Sequence, residues 1–431
     1  MSRPIVVVAD HLAVNGGSAR VAVESALGLA AAGRRVLCVG GAGTPDPRLA
    51  AAGIPVRIAA PPHRGGGRAA ALARVLWNAQ AGRAVAETLA QAGPGAIAHV
   101  HSWGQEMSGA ALAAVRQAEA VGVVTLHDFL SVCPNGTFFD FGEEAICTRA
   151  PLSGACLARA CDGRPYPVKL LRLARHAATA RFGRLFEACP DAIVLSALHR
   201  EVITPHLPVH VRLHRVANPV EIDAPDGPPP PRDADAPFLF VGRLTPEKGG
   251  VLFARAAATA GVPAVFVGDG PEAEAIRAAN PQARLLGWQA PARVAALMRA
   301  ARALVFPSLW YETQGLVALE AQAAGTPVIV SDGCAAREFV RDGETGLHVP
   351  AGDVQALVAR LVRLAREPGL AARLGEAAQA AFQADPPSRA AHVAALEAVY
   401  DEAAAAQAGA SPGARPHRRG ARETAVAAKA G

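Results

Sequence analysis

The feature that most constrains this chain is a rhythm. A short apolar run, a turn and a helical stretch recur along two halves, and the pattern is broken once between them. The runs IVVVAD (5–10), VLCVG (36–40), AIAHVHS (96–102), VVTLHD (123–128) and AIVLS (192–196) are nearly continuous in hydrophobicity. Strands buried on both faces of a parallel sheet must read this way. Helical stretches over 18–32, 70–92 and 106–120 separate them. Four consecutive prolines in DAPDGPPPPRDADAP (223–237) stop the rhythm, because proline gives no N–H to a helix or a ladder. The segment reads as an extended linker. The rhythm restarts with FLFVG (238–242), AVFVGD (264–269), ARLLG (283–287), ALVFPS (303–308) and PVIVSD (327–332), and helices follow at 353–366, 370–382 and 388–406. Such alternation predicts right-handed crossovers and an α/β chain of two Rossmann-like domains, their parallel sheets facing a central cleft. The boundaries read 1–222 for the N-terminal domain, 223–237 for the linker, 238–385 for the second domain, 386–407 for a terminal helix and 408–431 for a basic tail expected to be disordered.

Composition narrows the classes. The 431 residues exceed one ordinary domain. Aromatics are only 5% and hydrophobic residues 51%, so the cores rest on Ala, Val and Leu. The net charge of +6 suits either a plain basic surface or attraction to anions. Part of that charge sits in the tail run ARPHRRGAR (414–422). Nucleic acid is not expected as a partner, since the folded part lacks basic residues interleaved with aromatics. No secretory leader and no 18-residue apolar stretch is seen, which points to the cytoplasm. Seven Cys, an odd number, fit reduced or metal-bound thiols. Of 43 basic residues only Lys169, Lys248 and Lys429 are lysines, so a lysine among glycines demands a reason.

Lys248 stands in GRLTPEKGG (242–250), directly after a strand. Arg243 and Lys248, on two arms of one loop, pair a guanidinium fork with a compact ammonium and would suit a diphosphate. GDGPEAE (268–274) follows the next strand, but Ala273 breaks the dinucleotide pattern; a βα turn and a ligand loop remain equal readings. In SLWYETQGLVALEAQAAGTPVIVSD (308–332) a helix opens at Thr313 or Gln314, with its first free amides near Gly315 and Leu316. A helix start beside glycine is a ready anion site. Glu320 falls one turn deeper on the same face and Glu312 in the loop before it. Carboxylates at those places can grip diols.

Together GRLTPEKGG, GDGPE and the Glu312–Glu320 pair resemble the signature of glycosyltransferase family 4, retaining enzymes of the GT-B fold. AAREFVRDGETGLHVPAGD (335–353) resembles the family's run after the last core strand. The likeness is strong over 237–385 and looser before it. It implies that Arg243 and Lys248 hold the donor phosphates, with the backbone of Gly315 and Leu316. It implies that Glu312 contacts the transferred sugar and Glu320 the ribose. Asp332-Gly333-Cys334 departs from the double glycine usual before Glu338, which leaves that loop's contact open.

The N-terminal half adds two pieces. Gly16 and Gly17 of NGGSAR (15–20) open a helix and are expected to approach the donor phosphates across the cleft, a plain turn being the alternative. His127 and Asp128 end a strand at the sheet's carboxyl edge; His127 resembles the family's active-site histidine, whereas His99 and His101 read as structural. Cys133, Cys147, Cys156 and Cys161 cluster in a Gly- and Pro-rich insertion, 133–161. Four thiols could hold a structural zinc, with free thiols or a redox pair as the alternative.

No catalytic metal is expected, since Arg243, Lys248 and a helix end can carry a leaving diphosphate and no Asp-x-Asp clamp occurs in 238–385. The family implies front-face attack, with Glu312 orienting the sugar and His127 the acceptor or a donor hydroxyl. The expected partners are a UDP- or GDP-sugar donor and a saccharide or lipid-linked acceptor in polysaccharide or glycolipid synthesis, with peripheral attachment to the inner membrane face left open. Rival readings are an epimerase of the same fold, a phosphorylase (which would need a cofactor-bearing lysine), an NAD oxidoreductase and a basic anion- or nucleic-acid-binding protein.

Overall fold

The computed structural model describes residues 2–13, 16–59, 68–220, 235–367 and 369–409. Most of the proline-rich linker and the basic tail beyond residue 409 lie outside the described residues.

The first half contains strands β1 (Ile5–His11), β2 (Val36–Ala42), β3 (Val56–Ile58), β4 (Ile97–Val100), β5 (Val121–Thr125), β6 (Phe139–Asp140), β7 (Ala145–Ile146), β8 (Asp191–Val194) and β9 (Arg212–Arg215). Seven of them form one sheet in the order β3-β2-β1-β4-β5-β8-β9, parallel throughout. β6 and β7 make a separate antiparallel hairpin. The second half contains β10 (Phe238–Val241), β11 (Ala264–Val267), β12 (Arg284–Leu285), β13 (Ala303–Phe306), β14 (Val328–Ser331) and β15 (Gly346–Val349). They form a six-stranded parallel sheet in the order β12-β11-β10-β13-β14-β15. In both sheets the strand order reverses beside the first strand, between β1 and β4 and between β10 and β13. Crevices for ligands open at such points, beyond the carboxyl ends of the strands.

The near-continuous apolar runs have a direct cause. Along β1, Val6 and Val8 enter one core while Ile5, Val7 and Ala9 enter another on the opposite face. Likewise Phe238 and Phe240 of β10 face one core and Leu239 the other. The unforeseen strands β3, β9 and β15 lie at sheet edges, or next to none beyond them, where one flank is unpaired. β3 and β9 contain arginine and are only partly buried, so they carry no long apolar run.

Two further differences matter. The helical stretch 70–92 is two helices, Arg68–Leu76 and Ala79–Ala92, because the Asn78 side chain accepts from Ala81 N at 3.2 Å and starts the second. The terminal helix Arg389–Gly409 returns to the first half. Val393, Leu396, Val399 and Tyr400 join the core of Ile5, Val7 and Leu29. Tyr400 Oη and His99 Nδ1 share a hydrogen bond of 2.7 Å, and Ser25 Oγ bonds His392 Nε2 at 2.8 Å. The chain thus completes its first domain with its last described helix.

Candidate active site

Between the domains lies a cleft of about 1110 Å³. Its walls are the carboxyl ends of both sheets: Asp10 at the end of β1, His101 after β4 and His127 after β5 on one side, Gly242 after β10 and Ser308 after β13 on the other. Arg243, Lys248, Glu312, Gly315 and Leu316 all line it, as do Gly16, Gly17 and His127. The topology therefore brings eight of the nine expected donor-site and catalytic residues to one hollow.

The second-domain wall is built by two loops. Lys248 Nζ pairs with Glu312 Oε1 and lies 5.1 Å from the centre of the Trp310 ring. Glu312 also accepts from Ser308 Oγ at 3.2 Å. Its φ of +45° is a conformation that a bulky residue rarely adopts and that clusters at functional sites. Arg243 is 70% exposed and donates to the buried Glu247 at 3.2 Å. Loop 268–272 does not line the cleft. It braces the Arg243 loop from behind: Leu244 N donates to Asp269 O at 2.9 Å and Glu272 N to Leu244 O at 3.1 Å. A Cβ on Gly268 would lie 1.9 Å from Gly242 O, and one on Gly270 2.2 Å from Leu244 O. Of the two readings of GDGPE, the geometry is that of the turn, with glycine required for the close approach of the loops.

Two helix starts point into the cleft without a side-chain cap: Gly17–Ala31 at Gly16, and Leu316–Ala323 at Gly315. The second helix begins a little later than the sequence suggests, since Gly315 at φ +86° is its cap. By contrast, the helices that start after Asp46, Asn78, Ser196 and Asp353 have side chains on their first amides. Free amides at a helix start favour an anion. Glu320 is the ninth residue and does not line the cleft. One turn along its helix, its Oε1 accepts from Arg20 Nη1 at 2.8 Å. Burial raises the Glu320 pKa and Arg20 opposes that rise. Arg20 belongs to the helix that Gly16 and Gly17 open, so this ion pair spans the two domains. Nothing in the sequence around Arg20 marks it for a role; only the fold brings it to Glu320.

On the first-domain wall His127 Nε2 and His101 Nδ1 share a hydrogen bond of 3.1 Å. The two rings stack at 5.4 Å. Burial pushes the His127 pKa down to about 3 and that of His101 well below its ordinary value. Both imidazoles are therefore neutral at pH 7. Asp128 is pushed up to about 6 by burial, with the nearby Asp10 adding to the rise. Asp10 accepts the backbone N–H groups of Gln105, Glu106 and Met107 at 2.8–3.0 Å. His101, which reads as structural from the sequence, touches the cleft and His127 alike. The signal was its place two residues beyond His99 at the end of a strand.

The walls are also fastened together. Thr313 Oγ1 donates to His127 O at 3.0 Å, and Asn218 N to Gln314 Oε1 at 2.8 Å. Glu338 accepts from Ala197 N and Leu198 N at 3.0 and 2.7 Å, capping a first-domain helix from the second domain. The Asp332-Gly333-Cys334 departure is accommodated locally: Asp332 accepts from Ala351 N at 3.0 Å and the buried Cys334 thiol contacts Ser331 O at 3.3 Å.

Among the described residues, no three His, Cys, Asp or Glu side chains converge to hold a metal ion; Cys133, Cys147, Cys156 and Cys161, the expected structural zinc ligands, do not meet at one point. All four are free thiols. Order comes from charge instead. The fully buried Asp140 side chain accepts from Gly142 N at 3.0 Å, Arg149 at 3.0 Å and Arg159 at 2.7 Å. Burial opposes the charge on Asp140, but Arg159 and the Gly142 amide hold its pKa below the ordinary value. Buried Lys169 donates to the carbonyls of Cys156 and Arg159. Sequence spacing cannot show such a network, because its partners Gly142, Arg149, Arg159 and Lys169 follow no fixed period along the chain.

Residues 227–381 match the family model described as Glycosyl transferases group 1. The phosphatidyl-myo-inositol mannosyltransferase of Mycobacterium leprae is 49% identical over 83 residues, 19% of this chain and 22% of that protein. The D-inositol 3-phosphate glycosyltransferase of Rhodococcus erythropolis is 38% identical over 164 residues, 32% of this chain and 36% of that protein. The chain thus spans about a fifth and just over a third of these relatives' lengths. Among solved structures, the sucrose-phosphate synthase of Thermosynechococcus elongatus superposes with a TM-score of 0.69 at 22% identity, covering 94% of this chain and all of that one. HepE of Anabaena, in complex with UDP, superposes at 0.61 and 17% identity, covering 93% of this chain and all of that one. At these identities the likeness establishes the GT-B fold.

Proposed function

We propose that this chain, which has a GT-B fold and matches the glycosyl transferases group 1 model over residues 227–381, transfers a sugar from a nucleoside-diphosphate sugar to a saccharide or lipid-linked acceptor, with retention at the anomeric carbon. One observation carries the reading. Two cationic side chains and an uncapped helix start share a cleft with Glu312, the set of groups a sugar pyrophosphate would engage. As the bond from the sugar to the diphosphate breaks, negative charge grows on the leaving phosphate. Arg243, Lys248 and the Gly315 and Leu316 amides meet that charge without reorganising. No divalent cation is then needed for departure. Glu312 holds the sugar hydroxyls and Glu320 the ribose diol, with Arg20 beside it. Neutral His127 hydrogen-bonds the incoming acceptor or a donor hydroxyl. UDP-sugars are the first donors to try, because a solved neighbour binds UDP; GDP-sugars come second.

The test begins with thermal unfolding in the presence of UDP, GDP or ADP sugars. A donor at a hundred times its Kd adds about 2.7 kcal/mol of stability. Lys248→Ala or Glu312→Ala should lower kcat/KM at least about 100-fold, the scale of a lost charge-stabilising contact. The product's anomeric configuration, read by NMR, should match the donor's, and chelation with EDTA should leave the rate unchanged. Near-normal turnover in either variant sinks the assignment.

A further inference from the structure

We propose that the outward face of helix Tyr166–Ala178, together with the neighbouring turn Thr179–Gly183 and helix Arg68–Leu76, docks on an anionic phospholipid bilayer. The first observation is where apolar surface is left uncovered. Among the described residues, seven of the nine exposed large hydrophobic side chains fall in 72–77 and 152–182, including Leu72, Trp77, Leu157, Tyr166, Leu170 and Phe182. Leu170 is 50% and Phe182 55% exposed. Trp77 and Phe182 meet edge to face at 5.9 Å, which joins the two helices into one patch. Contiguous apolar surface of this kind marks an interaction site.

The helix is also turned inside out. Its lysine, Lys169, is buried against backbone carbonyls, whereas Tyr166, Leu170, Ala174 and Ala177 face outward. A helix that faces water carries its polar residues outward. Here the outward stripe has no charged residue, as suits a helix lying in a bilayer interface.

Charge identifies the occupant. With Lys169 buried and Arg172 and Arg175 turned to the cleft, the exposed charges of 163–187 are Arg164, Arg181 and Arg184 against Glu187 alone, so three positive minus one negative leaves +2. No acidic residue interrupts 163–186 or 64–86. Arg164 and Arg172 share Asp162, and Arg184 pairs with Glu187, while Arg181 lies over the Phe182 ring at 5.4 Å. Aromatic and leucine side chains rimmed by arginine fit lipid headgroups of negative charge. A partner chain of mixed charge has no such match here. Among the described residues no helix is long and apolar enough to cross a membrane, so the face would rest on the bilayer.

Position makes the contact useful. The same helix lines the cleft with Val168, Leu171, Arg172 and Arg175. A side pocket of about 230 Å³ under the turn shares Trp103, Leu130 and Arg175 with the cleft and adds Arg184, Leu185 and Phe186. A bilayer held on the outer stripe would therefore sit beside the first-domain mouth of the cleft.

The inference stands on this surface alone, not on the glycosyl-transfer reading, and its test keeps the two apart. The full chain is sedimented with vesicles of phosphatidylcholine, or of phosphatidylcholine and phosphatidylglycerol in equal parts. Binding is expected to the anionic vesicles only and to weaken as salt rises. Trp77→Ser, Leu170→Ser and Phe182→Ser together should reduce partitioning at least about tenfold, the scale of losing several buried apolar side chains. The melting temperature of the triple variant without ligand should match that of the unaltered chain, which shows that the variant is folded. Phe182→Ser alone, a milder change, should reduce binding in the same direction. Because the basic tail is retained in every variant, undiminished vesicle binding by the triple variant would assign the attraction to the tail and overturn the proposal. So would a lack of binding by the unaltered chain, or a concentration-dependent dimer that the triple variant abolishes while vesicles are ignored.

Discussion

At the scale of single residues, chemistry here depends on charges whose partners are distant in sequence. Lys248 is rare among 43 basic residues, and its nearest charge is Glu312 in another loop. Asp140 is the counterpart in the insertion. Its carboxylate gathers Arg149 and Arg159 in a segment whose regular structure is a short hairpin and the one-turn helix Gly154–Ala158. Asp140→Ala should cost about 3 kcal/mol, the low end for removing one partner of a buried pair, because both arginines keep some access to water and to Glu143. Urea unfolding measures this directly. Were a metal the staple instead, chelation would loosen the insertion and Asp140→Ala would be mild.

At the scale of elements, the helix Arg389–Gly409 does more than end the chain. Burying each of Val393, Leu396, Val399 and Tyr400 contributes about 1.5–3 kcal/mol, together comparable to the whole stability of a domain. Truncation after residue 388 should therefore leave the first domain unable to fold cooperatively, seen as loss of its melting transition. Removal of 410–431 should leave the transition unmoved. A finer probe is Tyr400→Phe, which strands His99 Nδ1 and should cost about 1–3 kcal/mol, as an unsatisfied buried group does. Equal melting temperatures for that variant and the parent would deny the bond its role.

At the scale of the whole molecule, buried imidazoles set the response to acid. Burial lowers His99, His127 and His199 from 6.5 to about 3, and His392 to about 4. The unfolded chain takes these protons first, so their contribution is complete above pH 6.5 and is lost as pH falls toward 4. Four carboxyls act in the opposite sense. Glu272 is raised from 4.5 to about 7, and Asp10, Asp128 and Glu320 are raised as well, so each favours the fold as pH falls. Six imidazoles, with His101 and His176 also lowered, outweigh four carboxyls, and each proton of imbalance is worth about 1.4 kcal/mol per pH unit. Stability should fall between pH 7 and pH 5, and His199→Gln should flatten the slope. A melting temperature that holds or rises toward pH 5 would contradict this.

Much of this protein was legible in its sequence. Strands covered on both faces must be apolar along their length, so the central strands of both sheets announced themselves. Glycine and a rare lysine marked the Arg243–Lys248 loop, and Gly315 marked a helix start, because close approach and positive φ leave few choices of residue. What the tertiary structure decided has a common cause: contact between residues far apart along the chain. The return of the last helix to the first sheet, the Arg20–Glu320 pair, the capping of one domain by Glu338 of the other and the Asp140 network all arise there. A linear pattern records the period of a segment and the chemistry of its side chains, but which distant segment will cover a face or answer a charge is fixed only when the chain is packed.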